Sequence, residues 1–261
     1  MTLPEFSLEG QNAVIIGGSR GIGRGIARVL AEAGADVAVV ARTSTHVEGA
    51  AQEVRDMGRR SIALTVDATN ATQMDDLAHR VIEEFGPIDV LVNSVGESIR
   101  RPLVPLPDEP GDALTAQDWQ SYLDLNLSSV YQGCRAFGPH LLDRRRGRVI
   151  NVSSFASVQA NVNMTVYAAA KAAITRFTES LAMEWGPYGV RVNALSPGVF
   201  PDPDQKTPEE LQASRERLSQ DIPLRRLGTL REAGLLALFL ASDASAYITG
   251  GNFFIDGGLS I

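Results

Sequence analysis

The chain has 261 residues, 44% hydrophobic and 21% charged, enough apolar material for a sizeable core in a single domain spanning residues 1–261. Its 24 Lys+Arg against 31 Asp+Glu give a net charge of −7, which argues against a general affinity for nucleic acid or for an anionic membrane. One cysteine, Cys134, and three scattered histidines, His46, His79 and His140, supply neither a disulfide framework nor a metal site, and the N-terminus lacks the pattern of a signal peptide, so a cytoplasmic protein is expected.

Short β-branched runs alternate with longer amphipathic stretches along the whole length. The first run, 13–16, is followed by Ile22, Ile26, Val29 and Leu30 at helical spacing, with Gly34 as a stop. Further runs at 37–40, 62–66, 90–92, 149–152, 190–194 and 253–255 are apolar at successive positions, as strands of a parallel sheet covered on both faces must be. Strand alternating with helix predicts right-handed α/β layering with no internal break.

Between the first strand and its helix, Gly17, Gly21 and Gly23 are spaced G-x-x-x-G-x-G. A glycine turn there lets the backbone approach a pyrophosphate, to which the helix N-terminus offers free N–H groups and the positive end of its dipole. The second strand ends in Ala41 and Arg42, with no carboxylate placed to hold a ribose 2′-hydroxyl. Arg42, with Ser19 and Arg20 in the glycine turn, suits a 2′-phosphate instead, which points to NADP(H); two solvated surface arginines are the other reading.

Two loops rich in proline and charge, 100–112 and 197–210, each follow a strand at its C-terminal end, where ligands of open α/β sheets bind. They are candidate walls of a substrate pocket, and Arg100 and Arg101 would favour an anionic substrate. The run Asp143 to Arg148, sequence DRRRGR, reads as a solvated turn or as half of a docking patch for an acidic partner.

In the segment TVYAAAKAAI, Tyr167 precedes Lys171 by four residues, which puts both on one face of a helix. Taken alone, that pair is also what an exposed helical stripe looks like. A free phenol with a pKa of about 10 is too weak an acid to serve near neutral pH, and a neighbouring ammonium is expected to lower it.

These segments together resemble the short-chain dehydrogenase/reductase family over the whole chain. The matching stretches are GGSRGIG, VDAT, NSVG, LNLSS, INVSS, YAAAK, VNALSPG and FIDGG, in the family's order and near its spacings. The resemblance implies a Rossmann-like three-layer sandwich with a seven-stranded parallel sheet of order 3-2-1-4-5-6-7 and helices on both faces. It implies a catalytic set of Asn126, Ser154, Tyr167 and Lys171, with Asn126 at a helix distortion and Ser154 thirteen residues before Tyr167.

Cofactor contacts carried over are Gly17, Ser19, Arg20, Gly21, Ile22 and Gly23 at the phosphates and Asp67 and Ala68 near the adenine. Asn93, Ser94, Val95 and Gly96 fall by the ribose, Pro197, Gly198 and Val199 by the nicotinamide. Departures are Ile16 where the family usually has threonine, and Asp202 where a threonine often touches the carboxamide.

The reading that follows is an NADP(H)-dependent oxidoreductase acting on a secondary alcohol or ketone of a small free substrate: a sugar, polyol, diketone or hydroxy acid. A 3-oxoacyl-[acyl-carrier-protein] reductase and a non-catalytic NADP(H)-binding redox sensor are the alternatives. The family also implies a homotetramer, to which the helices carrying Trp119, Tyr131, Phe177 and Trp185 would contribute surface as well as core.

Overall fold

The structure is a computed structural model and describes residues 3–108 and 111–261; Glu109 and Pro110 of the first proline-rich loop lie outside the described residues. Continuous apolar strands have no polar face to turn to water and must be covered on both sides. Seven of them, β1 (Asn12–Ile16), β2 (Asp36–Ala41), β3 (Ser61–Thr65), β4 (Val90–Asn93), β5 (Gly147–Val152), β6 (Val190–Pro197) and β7 (Asn252–Ile255), form one parallel sheet of order β3-β2-β1-β4-β5-β6-β7. The order and the number are those expected from the sequence.

The helices are α1 (Gly21–Glu32), α2 (Ser44–Asp56), α3 (Ala71–Phe85), α4 (Ala116–Leu123), α5 (Ser129–Asp143), α6 (Thr165–Trp185), α7 (Pro208–Leu218) and α8 (Leu230–Ala241). Alternate strand residues feed two separate cores. Val14 and Ile16 pack with Leu77 and Val81 of α3, Phe137 of α5 and Ile174 of α6. Ala13 and Ile15 pack with Ile26 and Leu30 of α1, Val54 of α2 and Leu240 of α8 on the opposite face. Three layers result, with the sheet in the middle.

Local chemistry fixes where the helices begin. Thr115 with Asp118, Thr207 with Glu210 and Thr229 with Glu232 form reciprocal capping boxes ahead of α4, α7 and α8. α1 and α8 approach so closely that a Cβ on Gly234 would lie 2.5 Å from the Val29 side chain and 2.7 Å from the Gly25 carbonyl oxygen. Between α4 and α5 the chain makes a π-turn, Asp124–Ser128, so the distortion expected around Asn126 is present.

One sequence expectation is corrected here. The run 143–148 is only in part a solvated turn: Asp143 and Arg145 are exposed, but Arg144 pairs with the buried Asp89 at 3.0 Å, Arg146 stands 3.5 Å from the same carboxylate, and the buried Arg148 donates to Gln11. A buried carboxylate draws in these guanidiniums because it cannot stay unpaired. Of the four aromatic residues on the helices expected to supply interface surface as well as core, Trp119 and Tyr131 are exposed, and Phe177 and Trp185 are partly buried against the core. No helix among the described residues is long and apolar enough to cross a membrane.

Candidate active site

All strands run the same way, so their C-terminal ends share one edge, and the order reverses between β1 and β4, opening a crevice there. A cleft of about 520 Å³ occupies that edge. Its base is the turn from β1 into α1, where a Cβ on Gly23 would meet the Gly17 carbonyl oxygen at 2.1 Å. Only glycine permits that approach. The hydrogen bond a threonine would make at position 16 is replaced by backbone: Gly17 and Gly18 both donate to the Val40 carbonyl, at 2.8 and 3.2 Å, and Ser94 donates to that of Ile16.

The glycine turn from Ser19 to Gly23, the β2 end at Ala41 and Arg42, Asp67 and Ala68 beyond β3, and Ser94 to Gly96 beyond β4 all line the cleft, with Gly17 and Pro197. Three expected contacts do not. Asn93 is buried and donates its amide to Asn151 at 2.8 Å and Cys134 at 3.4 Å, so it braces β4 against its neighbours. Gly198 donates its N–H to Ile255, which turns Val199 away into a separate small cavity beside Phe200 and Ile222. Thr43, Val66, Glu97, Ser98 and Gln205 line the cleft without having been singled out from the sequence. The first four follow closely on a strand end, which is the signal that would have found them.

The tetrad expected from the resemblance converges. Lys171 is fully buried, donates to the Val152 carbonyl at 3.0 Å and stands 5.6 Å from the centre of the Tyr167 ring. Asn126 and Lys171 flank Gly96: a Cβ there would lie 2.8 Å from Asn126 Oδ1 and 3.0 Å from Lys171 Nζ. Asn126 accepts from the Glu97 N–H and donates to the Glu97 carbonyl, stapling the start of the β4–α4 loop onto the π-turn. Ser154 caps a short turn through Ala156 N–H at 3.1 Å. Tyr167 and Lys171 line the cleft, while Ser154 and Asn126 are buried immediately behind it.

Electrostatics correct one sequence argument. Burial pushes the Tyr167 phenol up by more than the Ser154 hydroxyl draws it back down. Lys171 is itself pushed down to about 8 by burial. Its ammonium is turned to a backbone carbonyl and the ring, not to a counter-charge, so desolvation dominates.

Asp202 also departs from expectation. Its carboxylate accepts from Gly21 N–H at 2.7 Å, Asp204 N–H at 3.0 Å and the Gln205 amide at 2.6 Å, leaving a carboxamide little to bind. Burial would raise this carboxyl, but those hydrogen bonds and the Arg24 charge hold it below the usual range. Arg101, proposed for an anionic substrate, pairs with Asp118 at 3.3 Å.

These residues fit a dinucleotide. The glycine turn is a cradle that any Cβ would fill, Val66 and Ala68 give apolar wall, and Arg20 and Arg42 form no ion pair among the described residues. No group of three or more His, Cys, Asp or Glu able to hold a metal occurs among the described residues.

Comparison with known proteins agrees with this architecture. A family model described as enoyl-(acyl carrier protein) reductase matches residues 16–260. The chain is 35% identical to a 2-dehydro-3-deoxy-D-gluconate 5-dehydrogenase of Bacillus subtilis (strain 168), covering 97% of this chain and 96% of that one. It is 38% identical to a 3-oxoacyl-[acyl-carrier-protein] reductase of Synechocystis sp., with 97% and 98% covered. Among solved structures, a gluconate 5-dehydrogenase from Burkholderia cenocepacia J2315 in complex with NADP and tartrate superposes with a TM-score of 0.87 at 32% identity, over 98% of this chain and 97% of that one.

Proposed function

The chain belongs to the short-chain dehydrogenase/reductase family, and from that premise we propose that it is an NADP(H)-dependent oxidoreductase interconverting a secondary alcohol and a ketone on a small free substrate, a sugar, polyol, diketone or hydroxy acid. The observation that carries this is the convergence of Tyr167, Lys171, Ser154 and Asn126 at one end of a cleft whose other end holds Arg20 and Arg42.

Bound along the cleft, a nicotinamide cofactor supplies or accepts the hydride. Tyr167 is the proton donor to the carbonyl oxygen; burial favours its protonated phenol, the form that reduction consumes. Ser154 gives the same oxygen a hydrogen bond as charge develops on it. For oxidation the phenolate is needed, and Lys171, over the ring, is the nearby cation that favours it once charge appears. Asn126 acts through the loop it staples and is a positioning residue. Arg20 and Arg42 are assigned to a 2′-phosphate, a reading supported by the NADP complex of the Burkholderia relative.

The Synechocystis relative favours a second reading, reduction of 3-oxoacyl groups on acyl carrier protein. Arg144 and Arg146 weigh against it, because both face Asp89 in place of an acidic partner. We further read the chain as one cytoplasmic domain, supported by a single sheet spanning it, and as a homotetramer, for which exposed Trp119 and Tyr131 offer surface.

The test is a ketone and polyol screen run with NADPH and NADH in parallel. Turnover with NADPH on a hydroxylated ketone is expected. A marked preference for NADH removes the Arg20 and Arg42 assignment. Tight NADPH binding with background turnover across the panel would replace the enzyme by a redox sensor.

A further inference from the structure

The segment after β6 leaves the sheet at Val199 and returns at Gly228, whose N–H donates to the Val199 carbonyl at 3.0 Å, so residues 200–227 form a flap closed at its base. Between 203 and 213 the flap buries nothing, and the buried residue on its leading strand is a carboxylate, Asp202. Apolar side chains pin the far end of the flap, at the buried Ile222 and Leu227, but its contact with α1 is made by polar groups, which cost free energy to bury unless they are paired.

Asp202 is anchored on the turn that a dinucleotide must use. Gly21 opens α1, and the N-cap residue Arg20 provides no side-chain cap of its own. The helix is capped from 181 residues away, by Asp202 Oδ2 on Gly21 N–H at 2.7 Å. Two further ties reinforce it: Asp204 pairs with Arg24 of α1, and Gln205 accepts from Arg20 at 3.4 Å while donating to Asp202. One negative group therefore already sits where the glycine turn and the helix dipole favour an anion.

We propose that Asp202 is an internal stand-in for the cofactor pyrophosphate, a latch that holds the 200–227 flap on the glycine turn in the free protein and is displaced when a dinucleotide binds. The proposal rests on dinucleotide binding at that turn, and not on the choice between NADPH and NADH. The carboxylate and a phosphate compete for one N–H and repel each other at close range. When the phosphate takes the N–H, Asp202 moves toward water and the flap beside the substrate end goes with it. Binding and latch closure then exclude each other, so each weakens the other reciprocally.

The sign of one substitution separates this from a merely structural contact. Asp202→Asn keeps the shape and removes the charge. It is expected to bind both NADPH and NADH about three- to tenfold more tightly than wild type in a fluorescence titration, the range that one charge at a helix N-terminus is worth. Trypsin cleavage after the exposed Lys206 is expected to accelerate in wild type on adding NADPH or inorganic pyrophosphate, and to be fast in Asp202→Asn without either. Gln205→Ala, an exposed change that loosens the same latch, is expected to shift both readouts in the same direction by less. Equal or weaker dinucleotide affinity in Asp202→Asn, with wild type binding normally, overturns the latch and leaves the cofactor reading standing. Failure of both proteins to bind either dinucleotide overturns the cofactor reading and the latch with it.

Discussion

The two ends of the cleft are made differently. At the base, the turn from β1 to α1 presses backbone against backbone at glycines 17 and 23, and Gly96 beyond β4 is pressed by the Asn126 and Lys171 side chains, so none of the three leaves room for a methyl group. At the rim, the 97–108, 111–114 and 200–227 segments are largely exposed, with Leu103 and Val104 more than half open to solvent. The contrast assigns tolerance: chemistry common to a family is built where nothing can move, and substrate choice where side chains can change without disturbing packing.

The sharpest way to break this division is at Tyr167, the one tetrad member whose hydroxyl, not its ring, is assigned the chemistry. Tyr167→Phe is expected to lower kcat by about three orders of magnitude or more, a loss of the size seen when a positioned proton donor is removed. NADPH affinity by fluorescence titration should stay near wild type. Residual turnover within tenfold of wild type would move the proton donor elsewhere.

A second test asks what the buried base costs in stability. Lys171 has its pKa lowered from 10.5 to about 8. Below pH 8 it is charged in both folded and unfolded chains, and the folded state carries the full desolvation penalty. Between pH 8 and 10.5 the unfolded chain holds the proton and the folded one releases it, so stability should rise with pH across that window. The shift corresponds to about 3 kcal/mol at full burial. Lys171→Met is therefore expected to abolish activity yet unfold at a higher urea concentration at pH 7, with a flatter pH profile, after losing the hydrogen bond to Val152. A variant less stable at pH 7 would show that this hydrogen bond outweighs the burial.

The smallest effect belongs at the rim. Leu103→Ser with Val104→Ser should change stability by no more than about 0.5 kcal/mol, as exposed substitutions do, while altering KM for the preferred ketone severalfold at constant NADPH affinity. An unchanged KM would remove this loop from the substrate wall.

The base was legible in the sequence and the rim was not, for physical reasons. Strands covered on both faces must be apolar at every position, so all seven runs could be read directly, while their order in the sheet came from the family resemblance. The glycine turn and the Tyr167–Lys171 pair stand in local spacing. Contacts between exposed polar groups leave no periodic trace: nothing near Asp202 points to Gly21, and nothing within 143–148 announces Asp89. The direction of the Tyr167 shift was misjudged because sequence spacing gives the neighbour but not the burial, and burial is the larger influence. The expected contacts of Asn93, Gly198 and Val199 rest on the family resemblance, and single residues at strand ends can turn either way.

The π-turn at Asp124–Ser128 has an implication for how chains of this kind can differ in length. A π-turn is one surplus residue held inside a helix, and each residue of an α-helix turns the chain by about 100°. Deleting a residue there would regularise the helix and rotate everything upstream relative to α5 by more than a quarter of a circle, carrying Asn126 off the Glu97 backbone. The surplus residue thus acts as a fixed phase offset. Insertions and deletions among descendants of this chain should accumulate at the rim and leave the 124–128 stretch at constant length.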